Sequence, residues 1–374
     1  MRRGLPNRRP SATAAVLALG VLALFAVPPP HTKASVGQPR ASSTALVHSS
    51  PSATAAAAAA RRRCASLTVA LGSFSAAHGG RWHWPPGPCG FSSALSAAPA
   101  GLALLGRRSI VLLGDSMMRH LFSAAVRALG GDVAPGFWKR EGDEWLSARG
   151  GRLAWPFMTQ LASHLAGDGP TGLRGAPLAA MGPQDVYVVN VGHWDAGQSN
   201  ESIAAIVQRF AASVPAIAAE LQRLRAQPLA PEWAVGGEDS EGGGRRNCSH
   251  PLVVWATPNH ILPEPYRELV RADPGRAGHN LDRPERVEAV DAFLRRRSGL
   301  FPDVDKHVSF EGPGSDAAPA ALLDLNRLAR LGGRERVSDD LVHGTEEFFA
   351  LAWLHLANII RANDEACGLD EAEL

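Results

Sequence analysis

The 374-residue chain is short of cysteine and of net charge, and both shortages narrow its chemistry. Cys64, Cys89, Cys248 and Cys367 are scattered with no Cys-x-x-Cys pair, which argues against a zinc ribbon or a thioredoxin-like centre. Four cysteines allow three pairings, among which the sequence does not choose, and any pairing calls for an oxidising compartment. A formal charge of +2 leaves little field to hold a nucleic acid. The dense basic clusters, Arg61-Arg62-Arg63 and Arg295-Arg296-Arg297, read as solvated faces or a juxtamembrane patch. There is no internal repeat and no long internal apolar run of the kind a polytopic membrane protein needs. His193, His260 and His355 form no pair with metal-ligand spacing to a carboxylate, so no metal is expected and these histidines read as core or cleft residues.

What is present begins with an N-terminus unlike the rest. Arg2, Arg3, Arg8 and Arg9 precede the apolar stretch Ala12 to Val27, and Pro28-Pro29-Pro30 stops any helix there. Its sixteen residues fall at the short end of what a spanning helix needs, about 17 to 25, so residues 1–30 read as a signal anchor or a signal peptide. Positive charge ahead of the apolar block sends the remainder into the lumen in both cases. A chloroplast transit peptide ranks behind these, because the apolar block is more concentrated than such peptides need. Residues 31–63, mostly Pro, Ser, Thr and Ala, bury little and read as a low-complexity stem. Residues 64–374 then make one large domain, with a glycine-rich surface loop from Gly236 to Arg246. Asn200-Glu201-Ser202 and Asn247-Cys248-Ser249 fit the glycosylation sequon and agree with a lumenal domain. The expected location is the Golgi or another secretory-pathway lumen, as a single-pass type II membrane protein or, if the segment is cleaved, a secreted one.

Within the domain, strands and helices alternate. Strands are expected at Ser109 to Leu113, Val186 to Val191, Leu252 to Thr257 and Ala321 to Leu325. Helices are expected at Met117 to Leu129, Ser202 to about Arg225, about Pro284 to Arg297, and Thr345 to Arg361. Such alternation implies a parallel sheet with helices on both faces. Gly114-Asp115-Ser116 follows the first buried run directly, where a strand-to-helix turn can expose a serine hydroxyl to a cleft. That hydroxyl is a weak nucleophile until an imidazole takes its proton, and the imidazole needs a carboxylate to fix its tautomer. Asp340-Leu341-Val342-His343 supplies both from one short turn. Asn190 and Gly192 end a second buried strand, so in an open α/β sheet they face the same crevice and offer donors for an oxyanion. Trp82, Trp84 and Trp194 suit either hydrophobic packing or a sugar-binding cleft.

In order along the chain, Gly-Asp-Ser-x-x-Arg at 114–119, Asn-x-Gly-His-Trp at 190–194 and Asp-x-x-His at 340–343 resemble the PC-esterase group of the SGNH (GDSL-type) superfamily. The similarity is greatest to the trichome-birefringence-like polysaccharide O-acetyltransferases. Trp82-His83-Trp84-Pro85 with Cys89, the run from Val253 to His260, and Leu322 to Asn326 are similar to further blocks of that group, so the resemblance spans about Gly80 to Ile360. It departs at Leu341, Gly344 and Asp195, where plant members usually carry Cys, Trp and Trp, changes that leave the proton relay intact.

The resemblance implies a three-layer SGNH-hydrolase-like α/β fold, with residues 64–374 as its catalytic domain. It implies Ser116 as nucleophile, His343 as base, Asp340 as orienter of His343, and an oxyanion hole from the Ser116 N–H with Asn190 and Gly192. Asp115, Arg119, His193 and Trp194 are its candidates for substrate contact or site ordering. The implied activity is transfer of an acetyl group through acyl-Ser116 to a glycan hydroxyl. That requires an acetyl donor and a carbohydrate acceptor, and neither a bound cofactor nor a nucleic acid. A carbohydrate acetylesterase and an inactive glycan-binding protein are the alternatives.

Overall fold

The computed structural model describes residues 64–75, 81–87, 89–106, 108–134, 142–148, 150–156, 184–190, 192–193, 196, 201–227, 229, 250–273, 281–300, 320–336 and 340–367. The chain divides into two units, Met1–Ser50 and Pro51–Leu374, and every described residue belongs to the second. The expected anchor, the stem, the glycine-rich insert, both sequon asparagines and Trp194 lie outside the described residues.

In chain order the elements are β1 (Ser73–Ser75), β2 (Arg81–His83), α1 (Ala98–Leu105), β3 (Ser109–Leu113), α2 (Ser116–Ala128), β4 (Gly142–Leu146), β5 (Arg152–Pro156) and β6 (Val186–Asn190). They continue with α3 (Ile203–Arg225), β7 (Leu252–Ala256), α4 (Pro263–Ala272), α5 (Arg283–Arg297), β8 (Ala321–Leu323), α6 (Leu325–Gly332) and α7 (Glu346–Ala366). β1 and β2 form an antiparallel pair. The main sheet has six strands in the order β4-β5-β3-β6-β7-β8, all parallel except the β4–β5 pair.

β3 (Ser-Ile-Val-Leu-Leu) and β6 (Val-Tyr-Val-Val-Asn) are buried at every position, because a parallel strand covered on both faces has no solvent side. Ile110 and Leu112 join one core with Leu121 and Phe122 of α2 and Trp353 and Ile360 of α7. Val111 and Leu113 point the other way, into a core with Ile206 and Phe210 of α3, Tyr266 of α4 and Val290 of α5. Each such side chain contributes about 1.5–3 kcal/mol by leaving water, so the two cores hold the helices on opposite faces. The molecule is therefore a mixed α/β structure with a mostly parallel sheet flanked by helices.

The topology fixes where a site can form. From β3 the chain moves to β4 and β5 on one side, then crosses to β6 on the other. The order thus reverses at the C-terminal end of β3, where a crevice opens in sheets of this kind.

Several elements depart from expectation. β4 adds an antiparallel edge, its alternating exposure being that of a strand with one wet face. β8 ends at Leu323 because Asp324 turns the chain and caps α6, its side chain accepting from the Arg327 N–H at 2.9 Å. α7 runs on to Ala366, opened by Thr345, whose hydroxyl accepts from the Phe348 N–H. α3 is, among the described residues, the one helix long and apolar enough to cross a membrane. Its Ile206, Phe210, Ile217, Leu221 and Leu224 nevertheless form a stripe at helical spacing that packs in the second core.

Trp82 and Trp84 are core residues, not walls of a cleft. They meet the buried His355 edge-on, with centroids 4.8 and 5.1 Å away, and Trp84 Nε1 donates to the Thr68 carbonyl at 2.6 Å. Cys64 and Cys89 form a disulfide, and Cys367 is disulfide-bonded as well. Arg295 is no solvated charge, since its Nε donates to Asp291 Oδ2 at 2.7 Å and its Nη1 to Asp324 Oδ2 at 2.6 Å.

Candidate active site

Gly114 makes the turn out of β3 possible by having no side chain. A Cβ there would stand 2.6 Å from Met118 Cγ and 3.1 Å from Asn190 Cβ, closer than ordinary contact allows. The Gly114 carbonyl is pinned by Trp155 Nε1 at 3.2 Å, and Asp115 caps the helix by accepting from the Met117 N–H at 2.8 Å. Ser116 is thereby the first residue of α2, at the C-terminal edge of the sheet.

The second half of the site is a turn folded around its own carboxylate. Asp340 Oδ1 accepts from the N–H groups of Val342 and His343, at 2.9 and 3.0 Å, while Oδ2 faces His343 Nδ1 at 2.5 Å. Leu341 sits at φ +58°, a conformation that costs a non-glycine residue about 1–3 kcal/mol. Burial of the Leu341 and Val342 side chains in the second core holds the turn in place. His343 Nε2 lies 2.7 Å from Ser116 Oγ. A carboxylate can only accept, so Nδ1 carries the proton and Nε2 presents its lone pair to the serine hydroxyl.

The surrounding charges are arranged unevenly. Burial pushes the Asp115 carboxyl up, against its bond from Met117 and the nearby charges of His343, Arg283 and Arg119. Burial likewise lowers the Arg119 guanidinium, opposed by Asp115; its carbon lies 5.8 Å from the centroid of the Trp155 ring. His193 is wholly buried and held well below the usual imidazole range by burial first and then by Arg283 and His343.

Ser116, His343 and Asp340 converge as the sequence predicts, with Asp115 at the N-cap of α2 and Arg119 in its first turn. Asn190 does not fit the donor role expected of it. Both hydrogens of its amide are engaged, bonding the carbonyls of Ala256 at 3.0 Å and Thr257 at 3.2 Å, and the residue is 3% exposed. It ties β6 to the exit of β7. Gly192, at φ +106°, and Ser116 donate no hydrogen bond from their main-chain N–H among the described residues. His193 is buried and accepts at Nδ1 from Arg283 Nη2 at 3.5 Å. His260 pairs with Glu288 at 2.5 Å, a carboxylate that Asn326 and Arg330 also hold, and so belongs to the seam between α5 and α6.

Comparison with protein-family models, with curated proteins and with solved structures finds no match to this chain. The geometry therefore stands on its own.

Two neighbours were not legible as site residues. Arg283, 8% exposed at the start of α5, reaches His193 and the Tyr266 hydroxyl through contacts formed only by folding. His120 has its ring centroid 4.8 Å from that of His343, and its only sequence signal is its place four residues after Ser116. Among the described residues no group of three or more His, Cys, Asp or Glu could hold a metal ion. Chemically, the relay from Asp340 through His343 to Ser116 can withdraw the serine proton and return it to a departing oxygen.

Proposed function

We propose that this protein is a serine-dependent O-acetyltransferase acting on glycan hydroxyls, related to the PC-esterase group of SGNH-like enzymes that its motifs resemble. The observation that carries this reading is the continuous relay of 2.5 Å from Asp340 to His343 and 2.7 Å from His343 to Ser116. Ser116 Oγ attacks the carbonyl carbon of an acetyl donor while its proton passes to His343 Nε2. The main-chain N–H groups of Ser116 and Gly192 are the donors left for the oxyanion, at the positive end of α2. Collapse of the intermediate expels the donor's leaving oxygen, which takes the proton from His343. A sugar hydroxyl then gives its proton to His343 and attacks acetyl-Ser116, which frees the serine. Asp340 stabilises each imidazolium that forms without taking the proton itself.

The Cys64–Cys89 disulfide supports a secretory-pathway lumen as the place of action. One observation favours a second reading, a carbohydrate acetylesterase: the side chains of His343 and Asp340 are 20% and 40% exposed, which leaves water a route to the acyl-enzyme. The purified lumenal domain, given an acetylated donor and a panel of glycans, separates the two. Acceptor-dependent diversion of acetyl from free acetate to O-acetylated glycan is the result expected of the transferase. The opposite result, unchanged acetate release with no acetylated glycan across the panel, assigns the esterase.

A further inference from the structure

Two hydrogen bonds hold the His343 ring at its edge, one at each nitrogen, and both act close to the ring plane. A group that meets the ring's face limits its tilt as well. His120 does so from α2, where its four-residue offset from Ser116 puts both side chains on one side of the helix. The rings of His120 and His343 are 4.8 Å apart between centroids, with planes at 42°. On its other side His120 stacks on Phe349, at 5.1 Å and 13°, and Phe349 meets Phe348 edge-on at 5.1 Å. Both phenylalanines are buried in the first turn of α7, so a column of rings runs from the core to the catalytic imidazole.

We propose that His120 is a positioning residue for the acyl transfer inferred above, a shelf that fixes the tilt of His343 so that Nε2 meets Ser116 while Nδ1 meets Asp340. The proposal rests on that reading of the site. The shelf is uncharged when the enzyme works: burial holds the His120 imidazole down to about 3, with His343 and Arg119 pushing the same way and Asp340 opposing. Phe349, the group facing it from α7, carries no charge. His343 in turn faces Asp340 on its own turn, His120 and Asp115 from α2, and His193 from beyond β6. An imidazolium formed on His343 therefore meets no like charge from the ring that supports it.

The test compares wild type with His120→Ala, His120→Phe and His120→Lys, each checked for cooperative thermal unfolding. The readouts are Ser116 acylation by p-nitrophenyl acetate across pH, kcat and KM taken separately, and the His343 titration followed by nuclear magnetic resonance. His120→Ala is expected to lower kcat about tenfold or more with KM nearly unchanged, because only the geometry of attack is lost. His120→Phe restores most of that loss, since it keeps a flat uncharged face. His120→Lys moves the acid limb and the His343 titration down by about one pH unit or more, since a cation at that distance disfavours imidazolium. Full kcat in the alanine variant overturns the proposal, as does a phenylalanine variant no faster than alanine or an unmoved His343 titration in the lysine variant. Should the lysine variant fail to fold, the contrast of alanine with phenylalanine carries the test. If wild type accepts no acyl group at all, the acyl-transfer reading fails, and the His343 titration alone decides whether His120 supports that ring.

Discussion

Asp340 and Asp324 each anchor a nitrogen base near the C-terminal edge of the sheet, but Asp340 leaves 40% of its side chain exposed and Asp324 only 4%. Asp340 holds an imidazole, a group that can take a proton at one nitrogen while it donates from the other. Asp324 shares Arg295 with Asp291, and a guanidinium does not give up its proton in a protein. The first pairing can therefore move a proton and the second can only fix a position. The two bases themselves are equally exposed, His343 at 20% and Arg295 at 21%, so the difference lies with their carboxylates. Within the buried network, attraction between the ions does little more than offset their loss of water, yet removing one partner strands the others.

Replacing carboxylates on either side of this divide gives effects of different kinds. Asp340→Asn should produce the largest, a fall of about 10⁴ in kcat, because an amide favours the wrong imidazole tautomer. Its unfolding midpoint should stay near wild type, and acylation kinetics alongside urea unfolding check both statements. Asp324→Ala should cost about 3–5 kcal/mol of stability by taking from the part-buried Arg295 one of its two carboxylates, while the molecules that fold keep their kcat. A drop in kcat at full occupancy of the folded state would merge the two networks and break the distinction. Asn190→Ala belongs on the structural side, since its amide serves two main-chain carbonyls. It should cost about 1–3 kcal/mol in stability. Its rate should fall by less than the roughly 10²–10³ that loss of an oxyanion donor brings.

A further effect is one of pH. Burial pushes the Asp291 carboxyl up to about 7, against the pull of Arg295. Between its ordinary value and about 7 the folded state binds the extra proton, so this residue's contribution to stability is full at acid pH and is lost as pH rises through about 7. Asp291→Asn keeps an acceptor for Arg295 and removes the titration. Its urea midpoint should therefore fall less than that of wild type between about pH 5 and about pH 8.

The chain announces the strands of the inner sheet because burial on both faces leaves unbroken apolar runs, as at Ser109 to Leu113 and Leu252 to Ala256. It announces the geometry of Asp340 and His343 because three residues suffice to bring a carboxylate back onto an imidazole. Where tertiary contacts decide, it is silent. Gly142–Leu146 has no apolar run and becomes a strand only by pairing with β5. Leu322-Leu323-Asp324-Leu325 reads as a continuing strand until Asp324 finds the Arg327 N–H and Arg295. Asn190 shows its donor type in the sequence but not the two carbonyls that engage it. His120 and Arg283 enter the site by contacts between helices, and no local pattern records such contacts.

The central claim is that Ser116 becomes covalently acylated through His343. Rapid quench of the protein with p-nitrophenyl acetate, followed by intact-mass and peptide mass analysis, tests it most directly. The account predicts a gain of one acetyl group on the peptide that contains Ser116, absent in Ser116→Ala and lost from wild type on adding acceptor or on waiting for water. An acetyl group found elsewhere, or equal labelling of Ser116→Ala, contradicts it.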